Sequence, residues 1–343
     1  MSGPEDAILD GARPPAETLS LFGHDAALAF LGRAYRSGKS HHAILIEGPE
    51  GIGKATLAFR FANHVLAHPN AQSAPEAIST PDPTSAHFRQ IASGASHNLI
   101  HLTRPYDEKA GRFKSAITID EVRRAGRFFA QTSGSDNWRI VIVDTADDLN
   151  RNAANGILKM LEEPPKRAMF LVLSHAPGKL LPTIRSRCLP LPLRPLSDHD
   201  LESALKALGF EINPQSRDAL FAQAGGSLSE ALKLVNYGGL EILNAFEKVL
   251  AQAPGGQQRQ DLIKLADALS AKGGETIFAF FKDNLIRRIE SDARVAALGG
   301  DLAGAARMSE LSSALKERID TSVAYNLDRK QIVMNAVESY LFG

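Results

Sequence analysis

Two short stretches of this sequence hold residues whose types and spacing could do chemistry on a phosphate. Gly48-Pro49-Glu50-Gly51-Ile52-Gly53-Lys54 spells G-x-x-x-x-G-K. Its glycines let the backbone curl so that N–H groups point inward. A following helix N-terminus adds partial positive charge, and Lys54 adds a full one. The next position, where a hydroxyl would hold Mg²⁺, is Ala55. Thr56 lies one residue on, about 100° around the helix, and does not substitute for it. The second stretch is Asp144, a carboxylate closing the apolar run Ile140-Val141-Ile142-Val143. Behind it come Thr145, Ala146 and Asp147. Thr145 is a poor general base at neutral pH, and loss of such a group costs about 10²–10⁴ in rate. Asp147 reads as the start of the next turn.

These groups need strands and helices to place them. Ala43-Ile44-Leu45-Ile46 is a continuous apolar run, as expected of a strand buried on both faces. An apolar helical stretch from Leu57 to Leu66 follows the glycine turn. Further strands are predicted over 99–102, 139–143 and 169–173. Thr118-Ile119-Asp120-Glu121 has the capping-box pattern and predicts a helix from Thr118 to about Gln131. Another helix is predicted over 150–163, stopped by Pro164-Pro165. Strand–helix alternation of this kind argues for an α/β core, a mainly parallel sheet with helices on both faces. Residues 67–97, rich in Pro, Ser and Ala and lacking periodicity, read as an insertion or long surface loop. Pro190, Pro192 and Pro195 read as a linker, after which every segment reads as helix. Ser197 is placed to cap one closed by Gly209, and longer helices are predicted over 277–289 and 327–341. The expected division is a poorly ordered 1–18, an α/β domain over 19–195, a small helical domain over 196–240 and an all-α domain over 241–343.

Composition narrows the function. The chain has 343 residues with 39 Lys+Arg against 39 Asp+Glu, so any nucleic-acid contact must be a local patch. One cysteine, Cys188, excludes an internal disulfide and any multi-cysteine zinc site within the chain. No apolar run approaches the roughly 20 residues that span a bilayer, and the N-terminus carries acids and prolines rather than a basic, apolar signal. A cytoplasmic location is expected.

Several phrases together resemble the bacterial clamp-loader branch of the AAA+ ATPases, the subunits of DNA polymerase III. They are His42-Ala43-Ile44-Leu45 before the phosphate loop, Val143-Asp144-Thr145-Ala146-Asp147-Asp148-Leu149-Asn150, Leu161-Glu162-Glu163-Pro164-Pro165, and Leu181-Pro182-Thr183-Ile184-Arg185-Ser186-Arg187-Cys188. The resemblance is strong over about residues 20–235 and weak beyond. It implies an AAA+ P-loop core, a helical lid and a C-terminal collar. It also implies membership of a hetero-pentameric ring that loads the sliding clamp on primed DNA, as part of the DNA polymerase holoenzyme. Arg187 would then act in trans on nucleotide bound by a neighbouring subunit, and Ser174 matches a polar sensor position. Such an arginine finger supplies about 10³–10⁵ in rate.

Departures from the family pattern set the expectation for this chain. Ala55 replaces the metal-binding hydroxyl, Thr145 the catalytic Glu, and Glu230 the arginine that normally precedes Ala231-Leu232. All three weaken hydrolysis, so the reading is a subunit that lends Arg187 and does not turn over ATP. An active ATPase motor subunit is the alternative. Gly48, Gly51, Gly53, Lys54, Ala55, Thr56, Asp144 and Ser174 form a degenerate nucleotide site, with weak binding little helped by Mg²⁺ and no cofactor required. The four cysteines many relatives carry are missing. His64 and His68, four apart on a helix, with His87 and His97 nearby in sequence, offer a His-based replacement site. Two helical histidines without Cys or carboxylate partners read more readily as surface residues, and zinc is not expected. Arg123 and Arg127 share a helix face. They are DNA-phosphate candidates, although a solvated face or a subunit contact is the stronger reading.

Overall fold

The computed structural model describes residues 9–107, 112–130, 137–325 and 327–342. Element order explains how the loops meet. Helix α1 (Asp25–Arg36) leads to strand β1 (Ala43–Glu47), the glycine loop and helix α2 (Lys54–Ala67). Helix α3 (Ala86–Ala92), strand β2 (Leu99–Leu102) and a two-stranded pair, β3 (Tyr106–Asp107) with β4 (Arg112–Phe113), come next. Helix α4 (Ile119–Ala130), strand β5 (Arg139–Val143), helix α5 (Arg151–Glu162), strand β6 (Ala168–Ser174), helix α6 (Pro182–Arg185) and strand β7 (Leu189–Pro192) complete the α/β part. The sheet order is β2-β5-β6-β1-β7, and every pairing in it is parallel.

Period-2 alternation splits each strand between two cores. Ile44, Ile46, Ile140, Ile142, Met169, Leu171 and Leu173 face α1 and α2. Leu45, Val141, Val143, Phe170 and Val172 face α4 and α5 through Val122, Ala125, Ile157 and Leu161. Helices therefore cover both faces, which is why these strands read as continuous apolar runs. The helix starts are local: Asn150 caps α5 by accepting from Ala153 N at 2.9 Å, and Ser85 caps α3 by accepting from Phe88 N at 3.2 Å. The expected end of α4 near Gln131 falls outside the described residues, as does the first part of the N-terminal 1–18 segment.

Two sequence expectations need correction. Residues 67–97 are not simply a surface loop. They hold a 3₁₀ turn (Ala71–Ser73) and α3, and Ala74, Ile78 and Ile91 are buried in the core beside α2. Nor are Pro190 and Pro192 a linker. They lie in β7, paired with β1 at the sheet edge. Leu193 N donates to Glu47 O at 2.7 Å, so by alternation the prolines fall where the backbone nitrogen faces away from β1 and no ladder bond is lost.

Beyond β7 the described chain is helical: α7 (Asp198–Ala207), α8 (Arg217–Ala224), α9 (Leu228–Asn236), α10 (Gly239–Ala251), α11 (Gly256–Ser270), α12 (Glu275–Leu298), α13 (Leu302–Ala324) and α14 (Arg329–Phe342). Ser197 caps α7, accepting from Asp200 N at 3.1 Å. The chain forms two compact units, residues 1–229 and 230–343. In the second, α12 packs along α13, α11 against α14, and α10 against α11 and α12. Phe246, Phe280, Phe281, Leu285 and Ile289 fill its interior. Among the described residues no helix is long and apolar enough to cross a membrane.

Gly226 fixes the chain between α8 and α9. Its φ is +75°, and a Cβ there would lie 2.6 Å from both Leu196 O and Pro195 Cβ. Gly226→Ala is expected to destabilise the first unit by about 1–3 kcal/mol. The check is the chemical-denaturation midpoint; an unchanged midpoint contradicts this account.

Candidate functional site

The loops after β1, β5 and β6 leave the C-terminal ends of parallel strands on one rim of the sheet, where α/β folds bind ligands. After β1 comes the glycine loop. Gly51 (φ +74°) and Gly53 (φ +100°) adopt backbone conformations that other residues avoid, and Gly53 directly precedes α2. Lys54 is the first residue of α2 and is only 4% exposed. Its Nζ donates to Gly48 O at 2.7 Å and also to Pro49 O. Burial pushes its pKa down to about 8, against the opposing pull of Glu50, Asp144 and Asp147.

The remaining loop carbonyls are bonded by other parts of the chain. Ser227 Oγ donates to Glu50 O at 2.9 Å, and Leu228 N donates to Gly51 O at 2.9 Å. His24, buried at the start of α1, donates from Nε2 to Ile52 O at 2.6 Å. Ser229 Oγ sits so close to Gly51 that an added Cβ would meet it at 1.8 Å. Five consecutive carbonyls, 48 to 52, are thus held by this chain's own donors. Ala55 packs against the core beside α2, and Thr56 is half-buried one position further round.

Asp144 follows β5, as expected, and its Oδ2 lies 3.2 Å from Nε2 of His101 on β2. The His101 ring stands edge-on to Phe59, centroids 5.1 Å apart. Thr145 is buried. Asp147 does more than begin a turn: its carboxylate accepts from Ser174 Oγ at 3.0 Å, His175 N at 2.7 Å and Ala176 N at 3.2 Å. Ser174 is therefore fully buried and turned onto Asp147. The neighbouring His175 lies within electrostatic reach of the loop. Its pKa is lowered by desolvation and then by Lys54, while Glu50, Asp147 and Asp144 pull it up. Sequence reasoning missed His24, His101 and His175. Each is an isolated histidine distant in sequence from the group it meets, and no spacing pattern flags such a contact.

The donor set is a poor fit for a divalent cation. No hydroxyl adjoins Lys54, and Asp144 already has an imidazole partner. Among the described residues no three His, Cys, Asp or Glu side chains stand together in a metal-binding group. His64 is not the surface residue expected from the sequence, and His68 is half-buried. His64 is buried beside Tyr35, its Nε2 without a hydrogen-bond partner, and His68 Nδ1 lies 2.9 Å from His64 O.

Arg187 lies apart from the glycine loop in sequence, just after α6. It is 34% exposed, with Nη2 2.6 Å from Glu162 Oε1 and Nη1 donating to Thr183 O at 2.9 Å. In the second unit, Glu230 is paired with Lys233 at 2.8 Å and Arg287 at 2.5 Å. Burial raises its pKa, but the two cations outweigh this and hold it below its ordinary value. The carboxylate that stands where the family pattern has an arginine is thus paired with two cations of the same unit. On α4, Arg123 pairs with Asp120 at 2.9 Å and Arg127 is exposed.

A family model described as "DNA polymerase III, delta subunit" matches residues 23–197, just over half the chain. The chain is 33% identical over 219 residues to DNA polymerase III subunit delta' of Pseudomonas aeruginosa, covering 62% of each chain. It is 30% identical to subunit delta' of Bacillus subtilis (56% of this chain, 53% of the relative) and 28% identical to subunit tau of Escherichia coli (87% and 48%). The matches thus span between about half and just under two thirds of these relatives' lengths. Among solved structures, a DNA polymerase III gamma-subunit-related protein of Thermotoga maritima aligns with a TM-score of 0.39 at 17% identity, covering 91% of this chain and 98% of that one.

Burial, followed by the charge of His68, pushes the His64 imidazole from 6.5 down to about 4. The unfolded chain then binds a proton that the folded chain refuses, so stability rises with pH across that window. Unfolding free energy is expected to fall as pH drops from 6.5 towards 4. His64→Leu should flatten that slope by part of one proton; a slope unchanged in the variant contradicts the assignment.

Proposed function

We propose, from the premise that this chain belongs to the DNA polymerase III delta subunit family, that it is a delta'-like structural subunit of a clamp loader. In this reading it helps load the sliding clamp on primed DNA within a hetero-pentameric ring and does not itself hydrolyse ATP. The observation that carries the reading is a contrast between two cations. Lys54 is buried and spends donors on its own loop, whereas Arg187 is part-exposed on a surface turn.

The chemistry follows from that contrast. To reach a phosphate, Lys54 must first release Gly48 O and Pro49 O. Such an exchange returns only part of the interaction free energy. Ala55 offers no oxygen to a cation, and Thr145 offers no base for an attacking water. Nucleotide binding in the loop is therefore weak and little helped by Mg²⁺, and no turnover follows. Arg187 is suited to the complementary role, because a planar guanidinium on a rigid turn can stabilise charge on a phosphoryl group held by a neighbouring subunit. Residues 19–195, 196–240 and 241–343 then serve as core, lid and collar. Arg123 and Arg127 remain DNA-phosphate candidates; such contacts would be indifferent to base sequence.

The test is Arg187→Ala in the reconstituted complex. Single-turnover phosphate release is expected to slow by about 10³ or more at the one nucleotide site that this subunit faces, and clamp loading should slow with it. Unchanged phosphate release and clamp loading contradict the trans role.

A further inference from the structure

We infer that Glu162 is a positioning residue for Arg187, holding its guanidinium in one orientation for use by a neighbouring subunit. The inference rests on the trans-arginine reading above and deepens it.

Arg187 is gripped from two sides. Nη2 meets Glu162 Oε1 at 2.6 Å, while Nη1 donates to Thr183 O at 2.9 Å and lies 3.5 Å from Ser186 Oγ. Glu162 is the last residue of α5, and Thr183 belongs to α6. Neither partner rides on loose chain. Leu161, immediately before Glu162, is buried in the same core as Ile184 and Cys188, the latter immediately after Arg187. The turn is closed by Ser186 N to Pro182 O at 2.9 Å and Arg187 N to Ile184 O at 3.1 Å. The core therefore sets the spacing between carboxylate and guanidinium.

Two physical consequences follow. A guanidinium has five N–H donors in a fixed plane, and these contacts leave Nε–H and a second Nη2 N–H for an incoming anion. An arginine otherwise samples many rotamers, and the grip removes that freedom before any anion arrives. The carboxylate also subtracts charge from the site, so positioning and electrostatics predict opposite signs. If Glu162 merely parked the arginine, removing its charge would speed the neighbour's chemistry. If it positions, removing its acceptor slows it.

The experiment uses the complex assembled from this chain and its partner subunits, with Arg187→Ala, Glu162→Ala and Glu162→Gln measured in parallel. Subunit incorporation, KM for ATP and single-turnover phosphate release are read for each. Glu162→Ala is expected to lower the rate by about three- to tenfold, the rate equivalent of one net hydrogen bond, with KM and incorporation unchanged. Glu162→Gln, which keeps an acceptor oxygen, is expected to recover most of that loss. A Glu162→Ala rate equal to the parent while Arg187→Ala is slow overturns this inference and leaves the trans reading standing. A faster Glu162→Gln, or an effect confined to assembly, also overturns it. An Arg187→Ala complex as fast as the parent instead removes the trans reading itself.

Discussion

The parallel register of β5, β6 and β1 is the constraint on which the rest depends. Glu47 pairs with Ser174, and Val143 with Val172, so the three strands end at one rim. Their following loops bring Lys54, Asp144, Asp147 and His175 into mutual electrostatic range although they are far apart in sequence. Burial of the strands on both faces enforces this register, because a one-residue slip would turn every side chain to the opposite core. The β7 edge continues the same geometry and, through Leu193 N on Glu47 O, holds the start of the glycine loop from the other side.

Within that frame the glycine loop is held by the chain's own donors. Its five carbonyls are bonded by Lys54, Ser227, Leu228 and His24, drawn from both ends of the first unit. Asp144 and Asp147 are likewise committed, one to His101 and the other to the β6 end. Each commitment is a hydrogen bond in a partly dry site, where an exchange of partners costs more than it does in water. Arg187 sits differently: its contacts are with groups that are themselves part-exposed or on the backbone of a surface turn, and part of its donor set faces solvent. The proposed division of labour, a guanidinium offered outward and a cradle closed inward, is an extension of this difference.

Much of this was legible in the sequence. The strands over 43–46, 139–143 and 169–173 announced themselves as apolar runs, and Ser197 marked a helix start, because strand burial and capping are local chemistry. G-x-x-x-x-G-K between a strand and a helix located Lys54 for the same reason. What was illegible depended on long-range contact. Pro190 and Pro192 look like strand breakers until β7 is seen to lie at an edge. Ile78 and Ile91 sit in an aperiodic stretch yet reach the core. Ser174 was singled out by position, but its hydroxyl is bound to Asp147, and the neighbour within electrostatic reach of Lys54 is His175. The partners of Asp144 and Glu230, His101 and Arg287, are set by tertiary placement alone.

Phosphate release by the purified chain on its own, with ATP and Mg²⁺ and with Lys54→Ala alongside, tests the central claim most directly. The account predicts no release above the Lys54→Ala background. Steady release that the Lys54→Ala change abolishes would contradict it, since a cradle closed on itself would then be a working catalytic site.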